Sequence, residues 1–237
     1  MSIADNLRRV QERIAAAAES CGRSASEITL VGVTKYVGAR EAMELLAAGC
    51  TDLGESRPQE IWSKAGDVAS AFGSSAPRWH LIGHLQRNKI RRTLPLVSLI
   101  HSVDSLRLLE AVDSEAQSLV ENGDNISLPV RLLLEVNTSG ESAKHGLALG
   151  DVEPILAAAP QYSSVGICGL MTMAALEGGP TVAASNFAAL RELRDRLRPH
   201  APDCVQLDEL SMGMSDDFEI AIREGATIVR IGSALWE

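Results

Sequence analysis

The chain has 237 residues, a formal net charge of −9 and an aromatic content of only 3%. This length is enough for one large core, and the acidic balance argues against a nucleic-acid-binding surface. No apolar run approaches the ~20 residues that cross a bilayer, and the polar N-terminal segment lacks the pattern of a signal peptide. We therefore expect one cytoplasmic domain over residues 1–237, with no membrane span.

The predicted elements begin with a helix and continue as alternating strands and helices. Apolar residues at helical spacing over residues 3–20 predict an amphipathic N-terminal helix. Short apolar runs predict eight strands, at residues 28–34, 51–53, 79–82, 97–103, 129–137, 164–170, 207–211 and 227–231. Seven helices are predicted between them, at residues 38–49, 56–71, 86–93, 105–122, 150–159, 181–198 and 215–224.

This alternation predicts parallel strands joined by right-handed crossovers. Strands that are apolar on both faces, such as residues 130–136, indicate a sheet covered on both sides. Eight such units in a chain near ~250 residues favour an α/β fold of the (β/α)8 TIM-barrel type. A doubly wound open sheet is the alternative, but no glycine-rich turn follows the first strand. The N-terminal helix can take the position of an eighth outer helix.

The four cysteines have no C-x-x-C spacing, so they predict small buried hydrophobic residues rather than disulfides or a zinc site. They are Cys21, Cys50, Cys168 and Cys204. His80 and His84 are four residues apart, but they fall on a strand and its turn with no evident third ligand. We therefore expect no metal. A G-x-S-x-G nucleophile elbow is also absent from the sequence.

Functional groups of such a barrel gather at the carboxyl ends of its strands. Lys35 ends the first predicted strand, where an amine can attack a carbonyl group. The other lysines, Lys64, Lys89 and Lys144, lie in polar segments that look like helices or loops. Tyr36 is expected to pack on the opposite face of the strand. Turn residues without a ligand are the alternative interpretation of any single strand end.

Two turns near the C-terminus can hold an anion. Ser215 is a natural N-cap after the seventh strand, and backbone N–H groups at such a turn bind anions. Gly232 and Ser233 follow the eighth strand, and barrels often build phosphate sites from the turns after these two strands. A capped helix without a ligand is an equal alternative. Arg230 lies inside an apolar strand, so it needs either an acidic partner or a ligand.

In combination, seven segments resemble the pyridoxal 5′-phosphate homeostasis proteins, the YggS/PROSC family. They are residues 31–35, 53–60, 79–89, 137–144 with Gly146, 169–173, 210–217 and 229–233. The similarity covers nearly the whole chain. It implies a single (β/α)8 barrel like the N-terminal domain of alanine racemase, the barrel of fold type III pyridoxal-phosphate proteins.

The resemblance implies a Schiff base between Lys35 and the aldehyde of pyridoxal 5′-phosphate (PLP). It places Arg230 near the pyridine nitrogen, where a second positive charge disfavours protonation of the ring. The other cofactor-binding residues that it implies are His80, Ser56 near the ring, Ser211, Met214, Ser215, Gly232 and Ser233, the last four around the phosphate. Members commonly have Asn in place of Ser56, and they continue beyond residues 235–237 with a glycine and a few basic residues. We therefore expect a shorter or water-bridged contact at Ser56 and a slightly altered closure of the phosphate site.

The resemblance makes a cofactor-binding regulatory protein the leading hypothesis: a monomer that buffers PLP and delivers it to apo-enzymes. The competing class is an amino-acid racemase, which needs a second acid–base group opposite the lysine. In alanine racemase a tyrosine of a second domain supplies that group, and no tyrosine of this chain is well placed for the role. A barrel that binds another phosphorylated metabolite without a covalent link is the third hypothesis.

Overall fold

The computed structural model describes residues 2–141 and 145–237. Within them the strands are β1 (Thr29–Val33), β2 (Asp52–Glu55), β3 (Arg78–Leu81), β4 (Leu99–Val103), β5 (Val130–Glu135), β6 (Val165–Met171), β7 (Glu209–Ser211) and β8 (Ile228–Ile231). The α-helices are α1 (Ile3–Ser20), α2 (Ala39–Ala47), α3 (Pro58–Phe72), α4 (Ile90–Thr93), α5 (Leu106–Glu121), α6 (Val152–Ala158), α7 (Gly179–Leu197), α8 (Phe218–Arg223) and α9 (Ser233–Trp236).

The strands form a closed parallel barrel in the order β1 to β8. Its closure is the pairing of the first strand with the last, in which Val31 lies opposite Arg230. The predicted (β/α)8 barrel is therefore confirmed, and the open sheet is excluded. None of the described helices has both the length and the apolar character that a bilayer span requires. That residues 1–237 fold as one domain stays a prediction.

The N-terminal helix α1 is formed as its sequence predicts. Ser2 and Asp5 make a reciprocal capping box, and one face of the helix is buried. The helix lies beside the C-terminal elements, because Asn6 Nδ2 donates to the Leu235 carbonyl at 3.1 Å. Arg13 Nε also donates to Glu219 Oε1 of α8 at 2.7 Å. Helix α1 thus takes the outer position after β8, where α9 has only four residues.

The core has two parts, because side chains of a strand alternate between its two faces. The larger part lies between the strands and the surrounding helices. Six further buried side chains, all on strands, form a separate cluster that fills the barrel interior: Val31, Leu99, Leu133, Cys168, Met171 and Ile228. The interior of this barrel is therefore packed in layers rather than open.

The cysteine prediction is half right. Cys50 and Cys168 are buried, whereas Cys21 and Cys204 are exposed. Cys21 is the C-cap of α1 and Cys204 lies in a turn, so neither side chain faces the core. Burial raises the pKa of the Cys50 thiol to about 11. All four are free thiols.

Lys64 lies on a helix, as its segment predicts, but its side chain is buried. Lys64 lies on the inward face of α3 together with Ile61 and Val68. Its Nζ donates to Glu55 Oε1 at 2.5 Å and to the Thr34 carbonyl at 2.8 Å. Glu55 also accepts from the Thr34 hydroxyl at 2.6 Å. The i, i+3 and i, i+4 spacing of residues 61, 64, 65 and 68 was the signal that sequence analysis missed.

We expect Lys64→Met to lower the free energy of unfolding by about 3–5 kcal/mol, because it leaves the Glu55 carboxylate buried without its cation. The double variant Lys64→Met/Glu55→Gln removes the orphaned charge, so it should recover part of this loss. Urea denaturation measures both, with the partly exposed Lys89→Met as the matched control. A double variant no more stable than Lys64→Met would show that an unpaired charge is not the cause.

Candidate functional site

Lys35 lies at the carboxyl end of the barrel, in the exposed turn that follows β1. The backbone before it is fixed: the Thr34 N–H donates to the Gly54 carbonyl at 2.9 Å, and the Thr34 carbonyl accepts from Lys64. The Lys35 Nζ atom lies 4.8 Å from the centroid of the Tyr36 ring. The result is a primary amine on an anchored base with its reactive end open to solvent.

The prediction that Tyr36 packs against the strand is wrong. Its side chain is 86% exposed. The strand ends at Val33, so strand alternation no longer governs where residue 36 points. Instead, the ring of Tyr36 forms a cation–π contact with the amine of Lys35.

Arg230 is buried inside the barrel, with 4% of its surface exposed. Its Nη1 donates to Ser211 Oγ at 2.6 Å, and its Nη2 donates to the Thr172 carbonyl at 2.9 Å. Burial lowers the pKa of Arg230 to about 10, although the charges of Asp217 and Glu135 oppose this shift. Among the described residues, no carboxylate lies within 4.0 Å of the guanidinium, so the structural salt bridge considered above is not seen.

Hydrogen bonds continue from Arg230 across the barrel interior to the start of β2. Ser211 Oγ lies 2.8 Å from His101 Nδ1, and His101 Nε2 lies 2.9 Å from His80 Nδ1. His80 Nε2 lies 3.0 Å from Asp52 Oδ1. All five side chains are buried. We call this chain, from Arg230 through Ser211, His101 and His80 to Asp52, the interior relay.

The two ends of the interior relay set its direction. A guanidinium can only donate and a carboxylate can only accept. Burial opposes ionisation of Asp52, but hydrogen bonds from His80 and Arg78 outweigh it and hold the pKa of Asp52 well below its usual value. The relay therefore begins with a donor at Arg230 and ends with an acceptor at Asp52.

The two central hydrogen bonds take the same direction. Burial lowers the pKa of His101 well below its usual value, so its imidazole is neutral. Ser211 accepts from Arg230 and gives its own proton to His101 Nδ1, and His101 Nε2–H donates to His80. The reverse direction would leave the buried Ser211 hydroxyl proton without an acceptor in the part of the chain that the structure describes.

The structure separates His80 from His84, which sequence analysis considered together. Both ring nitrogens of His80 are engaged in the interior relay, so its expected direct contact with the cofactor stays a prediction. His84 is exposed at the barrel rim, where its Nδ1 lies 3.4 Å from Asp104 Oδ2. Its ring stacks on His145 with centroids 5.4 Å apart. His84 therefore groups with Asp104 and His145 rather than with His80, and the expectation of no metal stays a prediction.

The turns after β7 and β8 lie against each other, but the N-cap of α8 is Asp217 rather than the expected Ser215. Ser215 Oγ accepts from the N–H groups of Gly232 at 3.2 Å and Ala234 at 3.4 Å. Gly213 has φ +90°, and an added Cβ would lie 2.9 Å from the Phe218 Cα atom, so only glycine fits this turn. The turns thus bring backbone donors and a hydroxyl to one place.

Other predicted residues line the same end of the barrel. Ser56 follows β2, and its carbonyl oxygen would lie 2.3 Å from a Cβ added at Gly83, which explains the glycine after β3. A groove of about 500 Å³ there is lined by Ser56, Arg57, Pro58, Gln59, Glu60, His84, Gln86 and Lys89. Met214 is partly exposed and its N–H donates to Asp217 Oδ1 at 2.6 Å, while Ser233 is exposed at the start of α9. Lys144 lies outside the described residues.

Sequence analysis missed Asp52, His101 and Asp104 as functional candidates. His101 could have been identified as a candidate by the argument applied to Arg230, because a titratable side chain inside a buried strand needs a partner. Asp104 directly follows β4, so it stands at the strand end where functional groups gather. Asp52 gives a weaker signal, since a polar residue at the start of a strand is common.

Comparison with known proteins agrees with this architecture. Residues 2–237 match the family model described as alanine racemase, N-terminal domain. The chain belongs to this family. A pyridoxal phosphate homeostasis protein of Mycobacterium leprae is 36% identical and covers 97% of this chain and 90% of its own length. The protein of the same name from Escherichia coli K12 is 34% identical, with 99% and 95% covered.

Solved structures give the same fold. The structure of PipY from Synechococcus elongatus with PLP bound has a TM-score of 0.83 and 32% identity, and both chains are covered completely. Alanine racemase of Clostridium difficile has a TM-score of 0.73 at 17% identity, with 98% of this chain and 56% of that chain covered. The latter likeness concerns the barrel alone.

The residues present fit an anionic aldehyde cofactor such as PLP. The exposed amine of Lys35 can capture an aldehyde, and the N–H groups that donate to Ser215 Oγ in these two turns are donors that a phosphate oxygen can accept from instead. The buried guanidinium of Arg230 contacts only neutral groups in the described structure. A neutral ring nitrogen, which accepts a hydrogen bond, is a suitable neighbour for such a cation.

We expect His101 to stay neutral, with its proton on Nε2, across the neutral pH range, because burial and the charge of Arg230 oppose a second proton. Long-range ¹H–¹⁵N correlation spectra of histidine-labelled protein report this directly. The exposed His200 gives the signal of a solvated imidazole in the same sample. A proton on His101 Nδ1, or a doubly protonated ring within this range, would contradict the direction of the interior relay.

Proposed function

We propose that this chain binds PLP covalently through Lys35 and so holds the cofactor for release to other proteins. Relatives of similar length that share about a third of its residues are named pyridoxal phosphate homeostasis proteins, and PipY has been solved with PLP bound. The chain is accordingly a PLP-binding protein of PLP homeostasis. The observation that carries the assignment of Lys35 is its exposed side chain in the turn after β1, the strand that pairs with β8.

The closure of the barrel sets the geometry of the proposed site. Val31 lies opposite Arg230 in the β1–β8 pair, and Gly32 lies opposite Ile231. The turn that contains Lys35 therefore leaves the barrel next to the turn that contains Gly232. A ligand that spans these two turns would lie over the carboxyl end of β8, above the Arg230 guanidinium.

Each residue has a defined task in this proposal. PLP supplies an aldehyde that condenses with a primary amine and releases water. Lys35 provides that amine, and Ser215 with the N–H groups of Gly232 and Ala234 holds the phosphate. Arg230 contacts the ring nitrogen, and its fixed charge keeps a proton off that nitrogen. Without ring protonation the cofactor is a weaker electron sink, which suits storage rather than turnover.

We also propose that the protein is a monomer in the cytoplasm and that it transfers PLP to apo-enzymes. In this proposal it does not catalyse a reaction of its own. The names of the relatives support a role other than turnover. The sequence has two tyrosines, and neither is placed as a second acid–base group opposite Lys35. Tyr36 shares the turn of Lys35, and the Tyr162 hydroxyl donates to Glu110 Oε1 of α5.

We expect borohydride treatment of the PLP-loaded protein to trap the cofactor on the peptide that contains Lys35. Lys35→Ala should lose the absorbance of the bound cofactor and the trapped adduct, whereas Lys89→Ala should keep both. Peptide mapping by mass spectrometry identifies the modified lysine. An adduct on Lys64, Lys89 or Lys144 instead, or on no lysine, would refute the assignment of Lys35.

We further expect no amino-acid racemisation above the rate given by free PLP, since a second acid–base group opposite Lys35 is required for that reaction. Chiral analysis after incubation with single L-amino acids measures the rate. Tyr36→Phe is the matched variant, because Tyr36 is the tyrosine beside the amine. Turnover that is well above the free cofactor and is lost in Tyr36→Phe would favour the racemase hypothesis instead.

A further inference from the structure

Three side chains from consecutive loops meet at the rim of the barrel. His84 follows β3, Asp104 follows β4 and His145 follows β5. One ligand atom of each lies within 4.8 Å of those of the other two. We call these three residues the rim triad. Neither the resemblance nor the proposed PLP site assigns a role to it.

The carboxylate of the rim triad, Asp104, accepts a hydrogen bond from the residue that follows it. The Ser105 hydroxyl donates to Asp104 Oδ1 at 3.3 Å, and Ser105 is the N-cap of α5. The other carboxylate oxygen, Oδ2, lies 3.4 Å from His84 Nδ1. In metal sites, hydrogen bonds from neighbouring residues orient the carboxylate ligand. The hydrogen bond from Ser105 orients Asp104 in this way, with its other oxygen toward the imidazole of His84.

The two imidazoles can adjust around this fixed carboxylate. Both His84 and His145 are exposed, and their rings are nearly parallel, at 22°. Exposed side chains change rotamer freely, so each ring can turn a nitrogen toward a shared ion while Asp104 stays in place. Neutral imidazole nitrogens and carboxylate oxygens are ligands that late first-row divalent ions accept.

The local charge also favours a cation. The buried carboxyl of Glu135, at the end of β5, lies within electrostatic range of Asp104 and His145. Glu135 therefore adds a second carboxyl group beside that of Asp104, and Arg230 is the cation that interacts with Glu135 on the interior side. A divalent ion between His84, Asp104 and His145 would add positive charge where carboxyl groups repel each other.

We propose that the rim triad binds one late first-row divalent cation, with Zn²⁺ the best match, through His84, Asp104 and His145. Two imidazoles and one carboxylate leave a coordination position open, as in zinc sites that keep a water or a ligand. His84 also lines the groove that contains Ser56. The ion would thus sit at the edge of the proposed cofactor site, on the side of β3 to β5.

The test uses the full chain after treatment with a chelator, and Zn²⁺ alone as the probe. Isothermal titration and metal analysis after dialysis should show one ion per chain. His84→Ala, Asp104→Asn and His145→Ala should each weaken binding by at least about 10–100-fold, the loss seen even for the outer partners of metal ligands. Circular dichroism verifies that each variant remains folded.

Matched controls separate this site from adventitious binding. His200→Ala removes an exposed histidine far along the sequence and should bind Zn²⁺ like the wild type. The double variant Cys21→Ser/Cys204→Ser removes the exposed thiols and should also bind normally. Lys35→Ala should still bind Zn²⁺. The metal-binding result therefore does not depend on whether Lys35 is the residue that binds PLP.

Three outcomes would overturn the proposal. One is no saturable Zn²⁺ binding by the wild type. Another is binding that all three rim-triad variants retain at wild-type strength. The last is binding that disappears in Cys21→Ser/Cys204→Ser while the rim-triad variants keep it.

Discussion

The pairing of β1 with β8 is the constraint on which the candidate site depends. It joins residues about two hundred positions apart and sets Val31 opposite Arg230. Because both strands are parallel, their carboxyl ends emerge together, and the turn of Lys35 meets the turn of Gly232. An open sheet of the same strands would leave the amine and the backbone donors at opposite edges, where no single ligand could reach both.

The same closure creates a problem that the interior relay solves. A closed barrel buries Arg230, and an isolated buried cation is expensive. In the described structure the guanidinium of Arg230 has neutral hydrogen-bond partners. A carboxylate, Asp52, lies at the other end of the relay, four hydrogen bonds away. Every side chain of the relay makes hydrogen bonds in the described structure, so the buried cation has polar partners although no carboxylate lies beside it.

Buried polar groups also anchor the amine of Lys35. Lys64 and Glu55 hold Thr34, one residue before Lys35: Lys64 Nζ donates to the Thr34 carbonyl at 2.8 Å, and Glu55 accepts from the Thr34 hydroxyl at 2.6 Å. Lys35 thus carries an exposed side chain on a backbone that is fixed one residue earlier. The rim triad occupies the opposite side of the same opening, after β3 to β5. The proposed anion site and the proposed cation site therefore lie on different sides of the carboxyl end of the barrel.

By itself, the sequence determined the eight strands, the N-terminal helix, Lys35 as the candidate amine and the two C-terminal turns. These features depend on local patterns: apolar runs, helical spacing and turn residues near one another in the chain. Tertiary structure alone decided that Lys64 is buried with Glu55, that His80 pairs with His101, and that His84 pairs with Asp104 and His145. Such pairs join different strands and helices, and their partners follow from barrel register and the direction of each side chain, which no local pattern records.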